Sequence, residues 1–330
     1  MKKLLVMAAA ACMATPAMAD TILFGQLHAS VDSLDGASKS TSLSSNSSRI
    51  GVKGSVALDY GLQAIYHAEW GIDTGDNDSY DFSNRNQVVG IGGNFGAVLV
   101  GRHDTPFKAV SGKADLFWAT QIGHSRQITN GSGWDKRPSN VLMYKTPKIS
   151  GVQATAMYIT EEDGDDKDAF GFNAIYDNGS LMLGAGYEMH SAEMNGGGEG
   201  TDIDDSSSAR LIGGFNMAGA KINLFYQSVF DDQGIDDNDN DTFGIGLSYG
   251  MGPGTFKTHY YQRALPGDDN NSALVAIGYD HKLGKNTAAY VQYAQSDEGL
   301  GLGGVGHGET MAADSDGDTT GVSIGIVHKF

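Results

Sequence analysis

The connections in this chain alternate in length, and that alternation constrains the fold more than any single motif. Short breaks occur at Asp59-Tyr60-Gly61, Asn94-Phe95-Gly96, Lys148-Ile149-Ser150-Gly151, Asp177-Asn178-Gly179, Met217-Ala218-Gly219, Gly252-Pro253-Gly254 and Gly284-Lys285-Asn286. Most carry Gly or Asn, which tolerate the positive φ of tight hairpins. Between them fall long polar stretches at 34–47, 73–81, 104–137, 161–168, 193–205, 231–241, 268–269 and 297–318. Seven short turns and eight long loops separate sixteen segments, from 21–33 and 48–58 to 287–296 and 319–330.

Those segments have a period of two. In the last one Val322, Ile324 and Ile326 fall on one row and Ser323, Gly325 and Val327 on the other, with Phe330 closing the apolar row. In 49–57, Ile50, Val52 and Val56 oppose Arg49, Lys53 and Ser55. In 255–265, Phe256, Thr258 and Tyr260 oppose Lys257, His259 and Arg263. Strands of about ten residues joined by tight turns at one end and long loops at the other describe a transmembrane β-barrel. The expected fold is therefore all-β, a sixteen-stranded antiparallel barrel. A soluble sandwich gives no reason for the alternation. About eight strands are filled by their own side chains, whereas about sixteen leave an aqueous channel.

The N-terminus agrees with export. Met1-Lys2-Lys3, an apolar run from Leu4 to Ala14 and Ala17-Met18-Ala19 make a secretory signal. The expected domains are this signal, 1–19, and one barrel, 20–330. Cleavage after Ala19 removes Cys12, leaving no cysteine for a disulfide. Hydrophobic residues are 40% of the chain, as expected when only alternate strand residues face lipid. The formal charge is 22 − 40 = −18. Of the 40 acids, 29 lie in the long stretches other than 34–47 and 104–137, where Lys167 is the only Lys or Arg. These read as solvated loops. Such acidity excludes a nucleic-acid partner, whose phosphates need a basic surface.

Several segments resemble the general Gram-negative porins, the sixteen-stranded trimeric channels of the outer membrane. They are Asp20-Thr21-Ile22-Leu23-Phe24-Gly25-Gln26-Leu27-His28, Ser48-Arg49-Ile50-Gly51-Val52-Lys53-Gly54, Asn84-Arg85-Asn86-Gln87-Val88-Val89-Gly90-Ile91, Phe95 to Lys108, and the terminal Val327-His328-Lys329-Phe330. The resemblance implies a homotrimer among outer-membrane lipid and lipopolysaccharide, passing ions and small hydrophilic solutes. It implies a third long loop, here 104–137, folded into the lumen opposite a basic wall. The wall candidates by position are Arg49, Lys53, Arg85, Arg102 and Arg137, and the loop acids are Asp104 and Asp115. It also implies that the last strand, ending in Phe330, is read by the outer-membrane assembly machinery.

The residues agree with most of this wall. A cation facing lipid at the midplane costs about 2–4 kcal/mol, so Arg49 and Lys53, opposite an Ile/Val row, should face the lumen. On the fifth strand Ala97, Leu99 and Gly101 are expected outward, which turns Arg102 inward. Acids facing cations across a waist would orient polar solutes and bias ion passage. The acidic mouth favours cations, but salt screens it over about 8 Å, so the waist should dominate and favour anions. Phe107, Phe117, Trp118 and Trp134 leave open an aromatic track for a specific solute. No catalytic group is expected: His103-Asp104, His124-Ser125 and His307-Gly308-Glu309 form no triad pattern. Asp236–Asp241 and Asp314–Asp318 resemble calcium-loop fragments without the closing Glu. No metal site or cofactor is expected, with weak Ca2+ or Mg2+ binding in these acidic loops left open.

Overall fold

The computed structural model describes residues 20–75, 82–129, 133–160, 168–195, 203–264, 271–304 and 308–330. The expected signal, 1–19, and much of the acidic stretches near 78, 164, 199 and 268 lie outside the described residues. Sixteen antiparallel strands close into one barrel. They are β1 (Ile22–Asp35), β2 (two segments, Lys39–Ser45 and Arg49–Ala57), β3 (Gln63–Gly71), β4 (Ser83–Gly93), β5 (Gly96–Arg102) and β6 (Val141–Lys145). There follow β7 (Val152–Ile159), β8 (Ala169–Asp177), β9 (Leu181–His190), β10 (Ser206–Met217) and β11 (Ala220–Phe230). The wall ends with β12 (Asn240–Met251), β13 (Gly254–Ala264), β14 (Ser272–Lys282), β15 (Thr287–Ser296) and β16 (Thr319–Lys329). Each strand pairs with the next, and β16 returns to β1 from Gln26↔Lys329 to Asp35↔Thr320.

The period-two rows decide inside from outside. Leu23, Leu27 and Val31 of β1 are exposed, while Gln26, His28, Ser30 and Asp32 are buried. Leu183, Leu224, Ile245, Ile277 and Ile324 continue the exposed belt around the barrel. This inversion, apolar out and polar in, is what a hydrocarbon surround and a wet lumen demand. Glycines along the rows seat aromatic rings. A Cβ at Gly25, Gly54, Gly244, Gly254 or Gly325 would collide with the ring of Phe330, Tyr66, Tyr261, Tyr279 or Tyr290 respectively. The first of these pairs lies at the seam, where Gly25 and Phe330 also exchange both backbone hydrogen bonds, 2.9 and 3.1 Å.

Two connections differ from expectation. The stretch 34–47 is not a long loop: β1 runs to Asp35, and β2 begins at Lys39 in register with it, from Asp35↔Lys39 to Ala29↔Ser45. Its serines pair as a ladder but show no hydropathy contrast, so the sequence reads as a loop. The stretch 297–318 is not wholly solvated. Leu302–Gly303 pairs with Thr310–Met311 as a small ribbon, and Leu302 and Met311 are buried against Ile122, Ile128 and Leu34. The acids of this stretch flank that apolar middle.

The third long connection lies inside the barrel. It holds α1 (Pro106–Ala114) and the short α2 (Arg126–Thr129). Thr105 caps α1 by accepting from Lys108 N, and Pro106 supplies the first helical position. Inward amides bond the loop backbone: Asn173 Nδ2 to Pro106 O (2.7 Å), Asn223 Nδ2 to Ala114 O (2.6 Å), Gln227 Nε2 to Thr129 O (2.8 Å) and Gln292 Nε2 to Ile122 O (3.1 Å). Arg210 of β10 is fully buried beneath the loop. Its guanidinium donates to Asp135 Oδ1 (2.8 Å), Phe107 O (3.1 Å) and Gln227 Oε1 (2.9 Å), and lies 3.8 Å over the Phe107 ring.

Removing Arg210 takes away the 2.8 Å partner of buried Asp135 and leaves Arg126 at 3.7 Å. Arg210→Ala should destabilise the loop–wall contact by about 3–5 kcal/mol. Thermal unfolding of the purified barrel should show the loss, and single-channel current should become noisier as the loop frays. An unchanged melting temperature with quiet current would refute this anchoring role.

Candidate functional site

The waist is built where β2, β3 and β4 face the inserted loop. Cross-strand partners share a face, so Arg49, opposite Gln26, and Lys53, opposite Ile22, point into the lumen. Lys53 Nζ lies 4.9 Å over the Phe24 ring. Glu69 of β3 sits opposite Gly51 on the same face. The register between β3 and β4 slips, from Ala68↔Gln87 to Trp70↔Asn84. The extra residue in β4 is a bulge, and Arg85 and Asn86 both reach inward from it. Arg85 Nε bonds Glu69 Oε1, and Arg49 Nε lies 3.6 Å from Glu69 Oε2.

A second cluster adjoins the first. Asp104 Oδ1 lies 2.7 Å from Lys108 Nζ and 3.0 Å from Arg137 Nη2, while Arg137 Nε donates to Asn86 Oδ1 at 3.0 Å. The guanidiniums of Arg49, Arg85 and Arg137 are close enough to repel one another. Burial would raise the Asp104 carboxyl, but Lys108 and Arg137 outweigh it and hold it well below the usual carboxylate range. Four cations thus share two carboxylates.

Three expectations change. Arg102 is not on the inward row. Val98 and Val100 are exposed and Leu99 is buried, so Arg102 follows the valines outward, its Nη1 bonding Ser139 Oγ at 2.9 Å. Both rows of β5 are apolar, so periodicity alone assigns them the wrong way round. Asp104 does not oppose the wall; it lies among the cations. Asp115 is not a free loop acid either. It is buried, accepting from Phe117 N (2.7 Å), Ser125 N and Ser125 Oγ (both 2.8 Å), with His124 Nδ1 at 2.9 Å. Burial opposes its charge, and His124 and His259 restore it. The loop has a third acid, Asp135, which the sequence reading passed over and which Arg210 neutralises.

The lumen beside the waist is a cavity of about 320 Å³. Arg49, Lys257 and Lys329 line it, with Trp118 and Tyr290. Lys257 belongs to the polar row of β13, visible in the sequence, and is paired with Asp280 at 3.0 Å. Of the four aromatic residues in the loop, Phe107, Phe117 and Trp134 are buried as packing against the wall. They offer no exposed track. Among the described residues no group of three or more His, Cys, Asp or Glu is arranged to hold a metal ion.

Comparison with known proteins agrees with this geometry. The family model for Gram-negative porin matches residues 5–299. Outer membrane porin protein 32 of Delftia acidovorans is 31% identical over 307 residues, covering 86% of this chain and 85% of its own. The solved anion-selective porin from Comamonas acidovorans superposes with a TM-score of 0.82 at 26% identity, covering 94% of this chain and 100% of that one. The trimer form of in-vitro folded OmpT, an outer-membrane protein of Vibrio cholerae, shares the fold with a TM-score of 0.73 at 21% identity, over 94% and 99% of the chains. A closed sixteen-stranded barrel, a wet charged lumen and these matches make the chain a member of the Gram-negative porin family, a passive diffusion channel of the bacterial outer membrane.

Proposed function

We propose that this porin is a homotrimer whose waist favours small hydrophilic anions. One observation carries the reading: the acids that reach the waist are already shared among more cations than they can neutralise. Arg49, Arg85, Arg137 and Lys53 form the wall, and Lys108 adds a further cation from the loop. Asp115 is consumed in bonds within the loop and Asp135 in anchoring it to Arg210. Passing anions meet this excess positive charge in a narrow space beside the protein wall, where electrostatic interactions are stronger than in bulk water. No bond is made or broken. The anion selectivity named for the Comamonas porin supports the same preference here.

The trimer is supported by the outer surface. Aromatic rings stand outward on β8, β12 and β13, as Phe170, Phe172, Phe243, Tyr249, Phe256 and Tyr260. Such rings suit a lipid interface. The outward rows of β16 and β1 are aliphatic up to the terminal Phe330, with Val322, Ile324, Ile326, Leu23, Leu27 and Val31 exposed. An aliphatic face of this kind suits contact with another protomer. The trimeric assembly of the Vibrio relative points the same way. Phe330, at the seam, is read as the assembly signal.

In a salt gradient across a planar bilayer, the reversal potential should report anion preference. Arg49→Gln, Arg85→Gln and Arg137→Gln together should abolish most of it; clear cation preference in the native protein would overturn the reading. Asp104→Asn should act oppositely, freeing Lys108 and Arg137 and raising the anion-to-cation permeability ratio. A fall in that ratio would count against it. Phe330→Ala should lower the yield of assembled trimer while leaving the conductance of inserted trimers unchanged, and native yield would remove the assembly role.

A further inference from the structure

A second basic site lies beyond the waist, on the tight-turn side of the inserted loop. It is a niche of about 220 Å³ between α1 and the tight-turn ends of β6, β7 and β8. Three lysines line it from three different elements: Lys113 in the last turn of α1, Lys145 at the end of β6 and Lys148 in the turn that follows. Gln153 and Thr155 of β7 add polar groups, and Asp177 is the single carboxylate. Lys145 shares the inward row of Val141 and Met143, both buried, so it faces the lumen and not lipid.

The lysines are not spent on structure. Among the described residues none of the three makes a salt bridge, unlike Lys108 and Lys257. Asp177 already accepts from Gly179 N at 2.9 Å in its own turn. Lys221 of β11 lies within electrostatic reach of both Lys113 and Asp177, adding a fourth cation nearby. The niche is not electrostatically isolated from the waist. Lys145 is within electrostatic reach of His103, the neighbour of Asp104.

The geometry points to this niche as a binding station for small multivalent oxyanions of the inorganic phosphate class, on the periplasmic side of the pore; the inference rests on the anion-channel reading above. Its volume is below that of pockets for drug-sized ligands, about 300–1,000 Å³, and suits one small inorganic ion. Ammonium groups on flexible stems act as point charges with rotatable donors. Three such groups carried by separate elements suit a compact tetrahedral anion, whereas a planar carboxylate is better met by a guanidinium fork. Two or more charges on the ligand are favoured because three cations line the niche against a single carboxylate.

The test uses native barrels in planar bilayers with chloride as the current carrier. Inorganic phosphate is added on the tight-turn side in mildly alkaline buffer, where it is a dianion. Phosphate should reduce the chloride current, and Lys113→Gln with Lys145→Gln should require about tenfold more phosphate for the same reduction. Lys113→Arg with Lys145→Arg should keep the block, and Asp177→Asn should strengthen it. All these positions are at or near the lumen surface, and unchanged heat-modifiability on gels verifies folding. A native anion current that ignores phosphate, or a block unaltered by the glutamine pair, overturns the niche and leaves the channel reading standing. A cation-preferring native pore overturns the reading beneath it.

Discussion

No water is available in hydrocarbon to bond a free N–H or C=O, so a sheet that crosses a membrane must close on itself. Much of this structure follows from that requirement. Closure brings β16 against β1 and makes the last residue part of the wall: Phe330 trades backbone bonds with Gly25 and lays its ring across it. It fixes which row of every strand is apolar. It also explains part of the glycine content, because ring-on-glycine seats such as Tyr290 over Gly325 fill the lumen and rim where two large neighbours would collide.

Closure at sixteen strands creates the next problem, a bore too wide for its own side chains. The third loop solves it, and its attachment decides the electrostatics. A loop held against an inner wall must satisfy its backbone there. Asn173, Asn223, Gln227 and Gln292 do this with neutral amides. Buried Asp135 meets Arg210 of the wall as well as Arg126, while buried Asp115 is held within the loop, with His124 beside it. Two of the loop's acids, Asp115 and Asp135, are thus used in holding the loop together and in place, while Lys108 shares Asp104 with Arg137 and Lys113 is exposed. The anion preference proposed for the waist would in this sense be a by-product of how the loop is fastened.

The fold was legible because its signals are local. Turn residues, strand length and row contrast such as Ile50 and Val52 against Arg49 and Lys53 are written in contiguous sequence. Legibility failed where contrast failed. Val98, Val100 and Arg102 on one row of β5 look as apolar as Ala97, Leu99 and Gly101 on the other, so Arg102 was placed inward when it lies outward. The serines of 40–48 concealed a hairpin. Partners failed for another reason. That Arg210 would neutralise Asp135, or His259 approach Asp115, depends on strands far apart in sequence that only barrel closure brings together.

Net charge is therefore a poor guide to what this channel passes. The acids dominate the total because the outer loops are long and solvated, but each exposed acid there is screened within about 8 Å at physiological ionic strength. The waist holds far fewer charges, yet Arg49, Arg85 and Arg137 sit in a space that salt enters only by passing them. Few unscreened charges outweigh many screened ones at the point where an ion has no alternative route. The rim's acidity is then a surface property, while the charged inward rows of β2 and β4 face the path through the barrel.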